Sequence, residues 1–475
     1  MKHGYKTFGR AVFLLAMSIS VAAHAETLQE AVQSTLKNNP SLDVATSQYL
    51  AAQEERNMSA SDYYPEVSVS TTIGRVYQDN ATSRGLSVDR GAGYSGYGEG
   101  MVALRQNLFD GFETKNRVLA AQARMASYEN NITDVEERLV FKAASSYLEV
   151  MRTREALDLL KEQRASMMSY HERIVTMVEE GAADETERQQ AEDVVLVMNT
   201  LVNDYEGDLL KAESDFSEVT GHRPDGHFIR PVSLSAEIPQ DIRETVETAV
   251  ATHPALNAAR KETDAAKYDV EAAQAGYLPD LTGELSYLKS DKRDLLGGEA
   301  ADARAVVHMN WTFETGGRQK SSIERSKAQQ RGAMAKVQEL QRSLERTIYQ
   351  AYADHDTIKK KHDLAAKRVE INETLLKSYN LQFESARVNL LQLMRAESQL
   401  YKARLDAADT DYQLLTSEYA LMASIGSLKN RLLNDTQAQK DISQPEPAEG
   451  SEAGEEAQSS AQESAMKQDV GSSVQ

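Results

Sequence analysis

Few residues in this chain are spaced to do chemistry. Gly91-Ala-Gly93-Tyr-Ser-Gly96 fits the G-x-G-x-x-G dinucleotide fingerprint. That fingerprint needs a strand before it and a helix after it. Here a strand follows, so the glycines read as an external loop. His222-Arg-Pro-Asp225-Gly-His227 has two imidazoles and a carboxylate but no further ligand cluster nearby, so it reads as a surface turn. His171 falls on a helical seam, where a partly buried or pore-facing histidine is expected. There is no Ser/His/Asp array, phosphate loop or H-E-x-x-H, and the absence of cysteine (Cys 0) removes disulfides, thiolate metal sites and thiol catalysis together. The expectation is a protein with no catalytic residue, no cofactor and no metal. The formal charge of −20 argues against nucleic acid as a partner, because that needs a basic face.

The elements that would carry any site are written twice. Leu28 to Pro40 and Tyr63-Tyr64-Pro65 recur as Ile242 to Pro254 and Tyr277-Leu278-Pro279, at an offset of 214 (254 − 40 and 279 − 65). Ala191-Glu192 and Gly221 recur as Ala396-Glu397 and Gly426 at an offset of 205 (396 − 191 and 426 − 221). A unit of this length is no solenoid repeat; it is one structural unit built twice.

Residues 1–25 read as a targeting signal. Lys2, Lys6 and Arg10 precede the short apolar run Ala11 to Ala22, and Ala23-His24-Ala25 is a cleavage site. The sequence from 434 to 475 has almost no large apolar residue and reads as a disordered acidic tail. Between them, 26–221 is the first unit, 222–241 a linker and 242–433 the second unit. No remaining apolar stretch is long enough for a membrane helix.

Within unit one, Glu26 to Asp62 reads helical with a break at Pro40. Val67, Val69, Thr71 and Ile73 then alternate with polar residues, the period of a strand with one apolar face. A Gly/Ser/Asn/Asp stretch from Asp79 to Gly98 reads as a loop, and a second strand runs from about Met101 to Phe109, giving a hairpin over 66–109. Asp110-Gly111 closes it. A proline-free helical pattern follows to Val178, stepping 3 and 4 at Met125, Tyr128, Ile132, Val135 and Leu139 as coiled coils do. Gly181 marks the turn, and a return helix ends at Gly221. Unit two repeats the order: a helix from about Ile242 to Gly276, a hairpin over 280–313, a long helix to about Ser385 and a final helix from about Leu390 to Leu433. The fold class is therefore mainly α with a small β part.

Four strands have open edges and cannot close a barrel alone. In hydrocarbon every backbone group must be paired, so these strands imply a barrel shared between subunits. The rival reading is a periplasmic coiled-coil scaffold or adaptor, which would extract without detergent.

In order and in duplicate, Asn-Asn-Pro40 with Thr-His-Pro254, Tyr-Tyr-Pro65 with Tyr-Leu-Pro279, Leu-Phe-Asp-Gly111 with Thr-Phe-Glu-Thr-Gly-Gly317, and Asn389-Leu-Leu-Gln-Leu-Met-Arg-Ala-Glu397 resemble the TolC-type outer-membrane channel family. The resemblance covers about Glu26 to Leu433. It implies a homotrimer with a 12-strand barrel in the outer membrane of a Gram-negative bacterium and an α-barrel in the periplasm. It implies a passive exit duct that docks a periplasmic adaptor protein and an inner-membrane ABC transporter or efflux pump. Carried over residue by residue, the entrance gate falls on Thr186, Glu187, Gln392 and Arg395. The family's paired aspartates are here Gln392 and Arg395. The helix-tip adaptor contacts fall on Gly181, Ala182, Ala386 and Arg387, where Ala386 replaces the family's glycine. Tyr64, Phe109, Trp311 and Phe313 are expected as an aromatic belt at the inner membrane interface, in contact with outer-membrane lipid. The stretch Asn389 to Glu397 resembles secretion-type members, so type I protein secretion is favoured over small-molecule efflux.

Overall fold

The computed structural model describes residues 26–79, 93–224, 226–292, 299–385 and 387–433. The segments read as signal and tail, Gly91 and Ala386 lie outside them. In chain order the first unit contains α1 (Leu28–Asn38), α2 (Pro40–Ser61), β1 (Glu66–Gln78), β2 (Gly93–Phe109), α3 (Glu113–Glu179) and α4 (Glu185–Thr220). The second contains α5 (Ile242–Thr252), α6 (Pro254–Gln274), β3 (Asp280–Lys292), β4 (Glu299–Asn310), α7 (Arg318–Glu384) and α8 (Leu390–Ile425).

Local chemistry sets the helix ends. Thr27 and Glu30 form a capping box on α1. Asn39 caps α2 with Pro40 at its first position, and His253 caps α6 with Pro254 in the same place. The single helix expected over 242–276 is therefore two, because Pro254 cannot continue α5 and fits the first turn of α6. Gly221 and Gly426 take left-handed φ values of 81° and 78°. That conformation ends a helix, so α8 stops at Ile425 instead of reaching Leu433.

α3 and α7 have 67 residues each, on the order of 100 Å of helix. α3 packs against α1, α2, α4, α6 and α8; α7 packs on α5, α6 and α8. The junctions α1/α2 and α5/α6 meet the ends of α4 and α8: Asn39 Nδ2 donates to the Val219 carbonyl at 3.0 Å, and a Cβ on Gly426 would lie 3.3 Å from Pro254.

The linker 222–241 is a strap pinned across the helices. The Tyr147 hydroxyl lies 2.7 Å from the carbonyls of both Glu26 and Ile229, and its ring stacks on Phe228. Buried Glu418 accepts from the Leu234 N–H at 2.8 Å and from Ser233 Oγ. His222 is part of this pinning, with Nε2 2.9 Å from Glu26 Oε1. No group of side chains able to hold a metal occurs among the described residues.

The four strands form one antiparallel sheet in the order β1-β2-β3-β4. β2 begins at Gly93, so part of the expected loop is strand, drawn in by β1 pairing out to Gln78. The second hairpin ends at Asn310 instead of 313, which puts Trp311 and Phe313 just past β4.

Candidate functional site: a two-faced sheet and the helix tips

The two faces of the sheet differ in chemistry. One carries Val67, Val69 and Ile73 of β1, Val102 and Leu104 of β2, Leu281, Leu285 and Tyr287 of β3, and Val307 and Met309 of β4. Most of these side chains are exposed, Ile73 at 83% and Val69 at 73%, with Leu104 and Leu281 half-buried. The opposite face is mainly polar, with Met101, Ala103, Leu288 and Val306 among its polar residues. Glu66, Arg105 and Glu284 share one row across β1, β2 and β3, and Arg105 Nε donates to Glu284 Oε2 at 3.2 Å. An apolar face left bare beside a satisfied polar face is the pattern of a wall between hydrocarbon and water.

The register gives the lean of the strands. Val67 stands opposite Leu104, and Leu104 opposite Leu285. The repeat partner of Val67 is Leu281 (281 − 67 = 214), four residues away from Leu285 (285 − 281). Four residues are about 13 Å along a strand, against about 10 Å for two strand spacings. With the two copies at one depth the strands lean by roughly 50°, somewhat steeper than the roughly 35–45° usual in barrels. The apolar band therefore runs obliquely to the ladder rows and keeps one depth, because 67–73 on β1 and 281–287 on β3 are repeat-equivalent.

Aromatic rings collect where the sheet meets the helices. Tyr64 precedes β1, Phe109 ends β2, and Trp311 and Phe313 follow β4 with their rings 4.7 Å apart. Trp311 Nε1 donates to the Tyr277 carbonyl at 3.2 Å, tying β4's end to the turn before β3. The sequence reading missed Phe112. It holds a left-handed φ of 70° just before α3 and meets Phe109 edge-on at 5.5 Å. Its repeat partner is Gly317 (317 − 112 = 205), with φ 76°. A bulky residue in that conformation costs roughly 1–2 kcal/mol, so the ring is kept against strain.

At the other end of the long helices the two copies meet. Gly181 closes α3: its N–H donates to the Val178 carbonyl at 3.0 Å, and the Ala182 N–H to Met177 at 2.7 Å. Arg387, exposed, donates its N–H to the Gln382 carbonyl at 2.9 Å in the same pattern. Asp184 caps α4 through the Glu187 N–H at 2.9 Å. Asn389 and Gln392 form a capping box on α8, so the Gln392 side chain, placed in the gate from the sequence, is engaged with its own helix start. Thr186 and Arg395 line one shallow cleft with Gln190 and Leu391.

Glu187 and Arg395 are not paired with each other. Asn389 Nδ2 donates to Glu187 Oε1, and Arg395 Nη2 donates to Gln190 Oε1 at 2.8 Å. These contacts follow the repeat: Asp184, Glu187 and Gln190 map onto Asn389, Gln392 and Arg395, each 205 positions on. Asn389 and Gln190 were missed in the sequence; the signal was the Asn-x-x-Gln cap before Leu393, read there only as a family motif. Beneath this contact Met167, Ile174, Ala191, Met198 and Met394 form a buried apolar cluster. The repeated Ala-Glu pairs diverge. Ala191 and Ala396 are both buried, whereas Glu192 is exposed and Glu397 accepts from Ser166 Oγ. Burial first, and then a hydrogen bond to Glu397, pushes the Tyr170 hydroxyl well above its usual range.

A two-faced, leaning, edge-open sheet joined to long paired helices defines a channel-building outer-membrane fold. The family model described as outer membrane efflux protein matches residues 31–222 and again 245–427. The chain belongs to that family, which includes the TolC-type channels. It is similar to the outer membrane efflux protein BepC of Brucella suis biovar 1 (25% identical, covering 86% of this chain and 87% of BepC). It also resembles the outer membrane protein TolC of Vibrio cholerae (21%, covering 89% and 95%) and the proteases secretion protein PrtF of Dickeya chrysanthemi (23%, covering 89% and 93%). Among solved structures, the Campylobacter jejuni CmeC outer membrane channel superposes with a TM-score of 0.74 at 15% identity, covering 86% of this chain and 88% of that one. The chain is accordingly an outer-membrane protein with a large periplasmic helical part.

Proposed function

We propose that three copies close one 12-strand barrel and one helical tube, making the passive exit duct of a tripartite export system. One observation carries this reading: β1 and β4 each keep an edge that pairs with no strand among the described residues, while one face of their sheet carries exposed apolar side chains. In lipid those edges must be paired. β4 of one copy and β1 of the next are the available partners, and head-to-tail contacts of this kind close into a ring. Tyr64, Phe109, Trp311 and Phe313, with Phe112, then form the belt at the inner interface. A periplasmic adaptor meets the tips at Gly181, Ala182, Ala386 and Arg387, and an inner-membrane transporter supplies the energy. Thr186, Glu187 and Arg395 face the entrance. Protein cargo is favoured over small molecules because Asn389 to Glu397 resembles secretion-type members.

The assembly is tested by mass in detergent, corrected for bound detergent, which should equal three chains. A stable monomer without detergent overturns it. Cargo is tested in a host lacking its own exit duct. With a haemolysin-type ABC transporter and adaptor, the chain should restore export of a reporter protein to the medium. Restored drug resistance with no protein export overturns the cargo assignment and leaves the duct standing.

A further inference from the structure

The repeat offset that joins Pro65 to Pro279 also joins Arg75 to Lys289 (289 − 75 = 214). Both cations lie on the apolar face of the sheet. Arg75 is two residues beyond Ile73 on β1, and Lys289 two beyond Tyr287 on β3, where the band ends away from the helices. Between them β2 presents Gly98 and Gly100 on that face, and a Cβ built on either would meet nothing within 4 Å. Arg75 is exposed, stands opposite Gly96 and has no ion pair among the described residues. Lys289 is 60% exposed and lies 3.3 Å from Glu299, itself 72% exposed. A pair this wet is worth little. Asp291 shares the face one position further out.

A cation on a lipid-facing wall extends its stem along apolar surface and keeps its head at the headgroup level. With the helical part in the periplasm, this end of the band lies in the outer leaflet. Repeat-equivalent positions sit at one depth, so three copies would carry six such cations in one ring. Guanidinium and ammonium groups there meet phosphate oxygens, arginine with the better geometry because its fork can bind two at once.

We propose that Arg75 and Lys289 hold the phosphate groups of the diphosphorylated glycolipid of the outer leaflet. The proposal rests on the barrel reading above, whose failure would show separately as a wild-type protein that needs no detergent. The test compares full-length wild type with Arg75→Gln/Lys289→Gln, both purified from outer membranes in mild detergent. Each is melted with diphosphoryl lipid A, with its dephosphorylated form, and with inorganic phosphate. Wild type should melt several degrees higher with the phosphorylated lipid than with the dephosphorylated one and should not respond to inorganic phosphate. The double variant should respond equally to the two lipids and co-purify with severalfold less lipid A. Equal responses of wild type to the two lipids overturn the proposal, as does a variant that keeps the wild-type difference. A response to inorganic phosphate matching the lipid response assigns a free-anion site instead. If the double variant fails to assemble, the wild-type comparison still decides, supported by the single variants.

Discussion

α3 and α7 have the same length and the same place in their repeats, yet α3 buries 20 residues and α7 only four. The difference is positional. α3 is packed by α1, α2, α4, α6 and α8, whereas α7 packs on α5, α6 and α8 and keeps an exposed flank. That flank carries Leu364, Ile371 and Leu381, 61%, 59% and 66% exposed. β1 and β4 show the same one-sidedness in the sheet. Duplication made two similar halves in sequence; folding made α3 a hub and left α7 at the margin, while each half gives the sheet one edge strand.

The sharpest way to break this comparison is to charge the two helices in turn. Leu364→Asp with Ile371→Asp on α7 should abolish the trimer while leaving helix content nearly unchanged, because exposed substitutions within one chain usually cost less than about 0.5 kcal/mol. Mass in detergent and far-ultraviolet dichroism read the two effects. Leu160→Asp on α3, at a fully buried position, should instead cost the fold. A trimer that survives the double change on α7 shows that its bare flank is not an interface.

Next in size is a pair of tyrosines. Tyr147 and Tyr352 are repeat partners (352 − 147 = 205), and both hold the strap. Tyr147 is fully buried on Phe228. Tyr352 is half-buried and donates to the Pro239 carbonyl at 2.9 Å. Truncating a buried aromatic costs roughly 3–5 kcal/mol, so Tyr147→Ala should lower the melting temperature far more than Tyr352→Ala. Equal losses in detergent melts would place the two halves on the same footing.

A third test uses the helix caps. Asn39 and His253 occupy one repeat position (253 − 39 = 214), but only one of them titrates. His253 Nδ1 accepts from the Ala255 N–H at 3.2 Å, which requires that nitrogen to be unprotonated, and burial holds the imidazole below its usual pKa. With a folded pKa below the unfolded one, the unfolded chain binds more protons in the window between them. Stability is full above the ordinary histidine value, about 6.5, and falls as pH drops through that window towards the folded pKa. His355, also depressed by burial, adds to the slope. His253→Asn should flatten the dependence of melting on pH below about 6.5 without abolishing it. An unchanged slope would show that the cap does not carry it.

How legible was this in the sequence? The long helices, the apolar face of the first strand and the duplication were readable because periodicity and offset are local signals. The split at Pro254 is less legible, because the helical pattern of 242–276 runs through it, although its repeat partner Pro40 marks a break. The strap reads only as a linker in the sequence, because its hydrogen bonds run from Tyr147 and Glu418, far away in the chain. The tip was half legible. Glu187 and Arg395 were placed there, but their partners depend on how the starts of α4 and α8 face each other, which no spacing encodes.

The smallest effect on stability, and the one closest to function, belongs to the tip. Asp184, Glu187 and Gln190 in copy one carry two negative charges; Asn389, Gln392 and Arg395 in copy two carry one positive charge. The cross-bonds Asn389–Glu187 and Arg395–Gln190 join these unequal trios at exposed or half-buried positions. Exposed bonds of this kind contribute about 0–1 kcal/mol each. Arg395→Gln, which gives the two copies the same residue at that position, should therefore leave melting almost unchanged. Conductance is the sensitive reading, because rings of charge set pore selectivity. In planar bilayers Arg395→Asp should raise cation selectivity and create sensitivity to divalent or trivalent cations. Glu187→Ala should raise open conductance by releasing Asn389. If both variants match wild type in conductance and ion preference, these residues do not face the pore, and the contact between the copies is a structural clamp only.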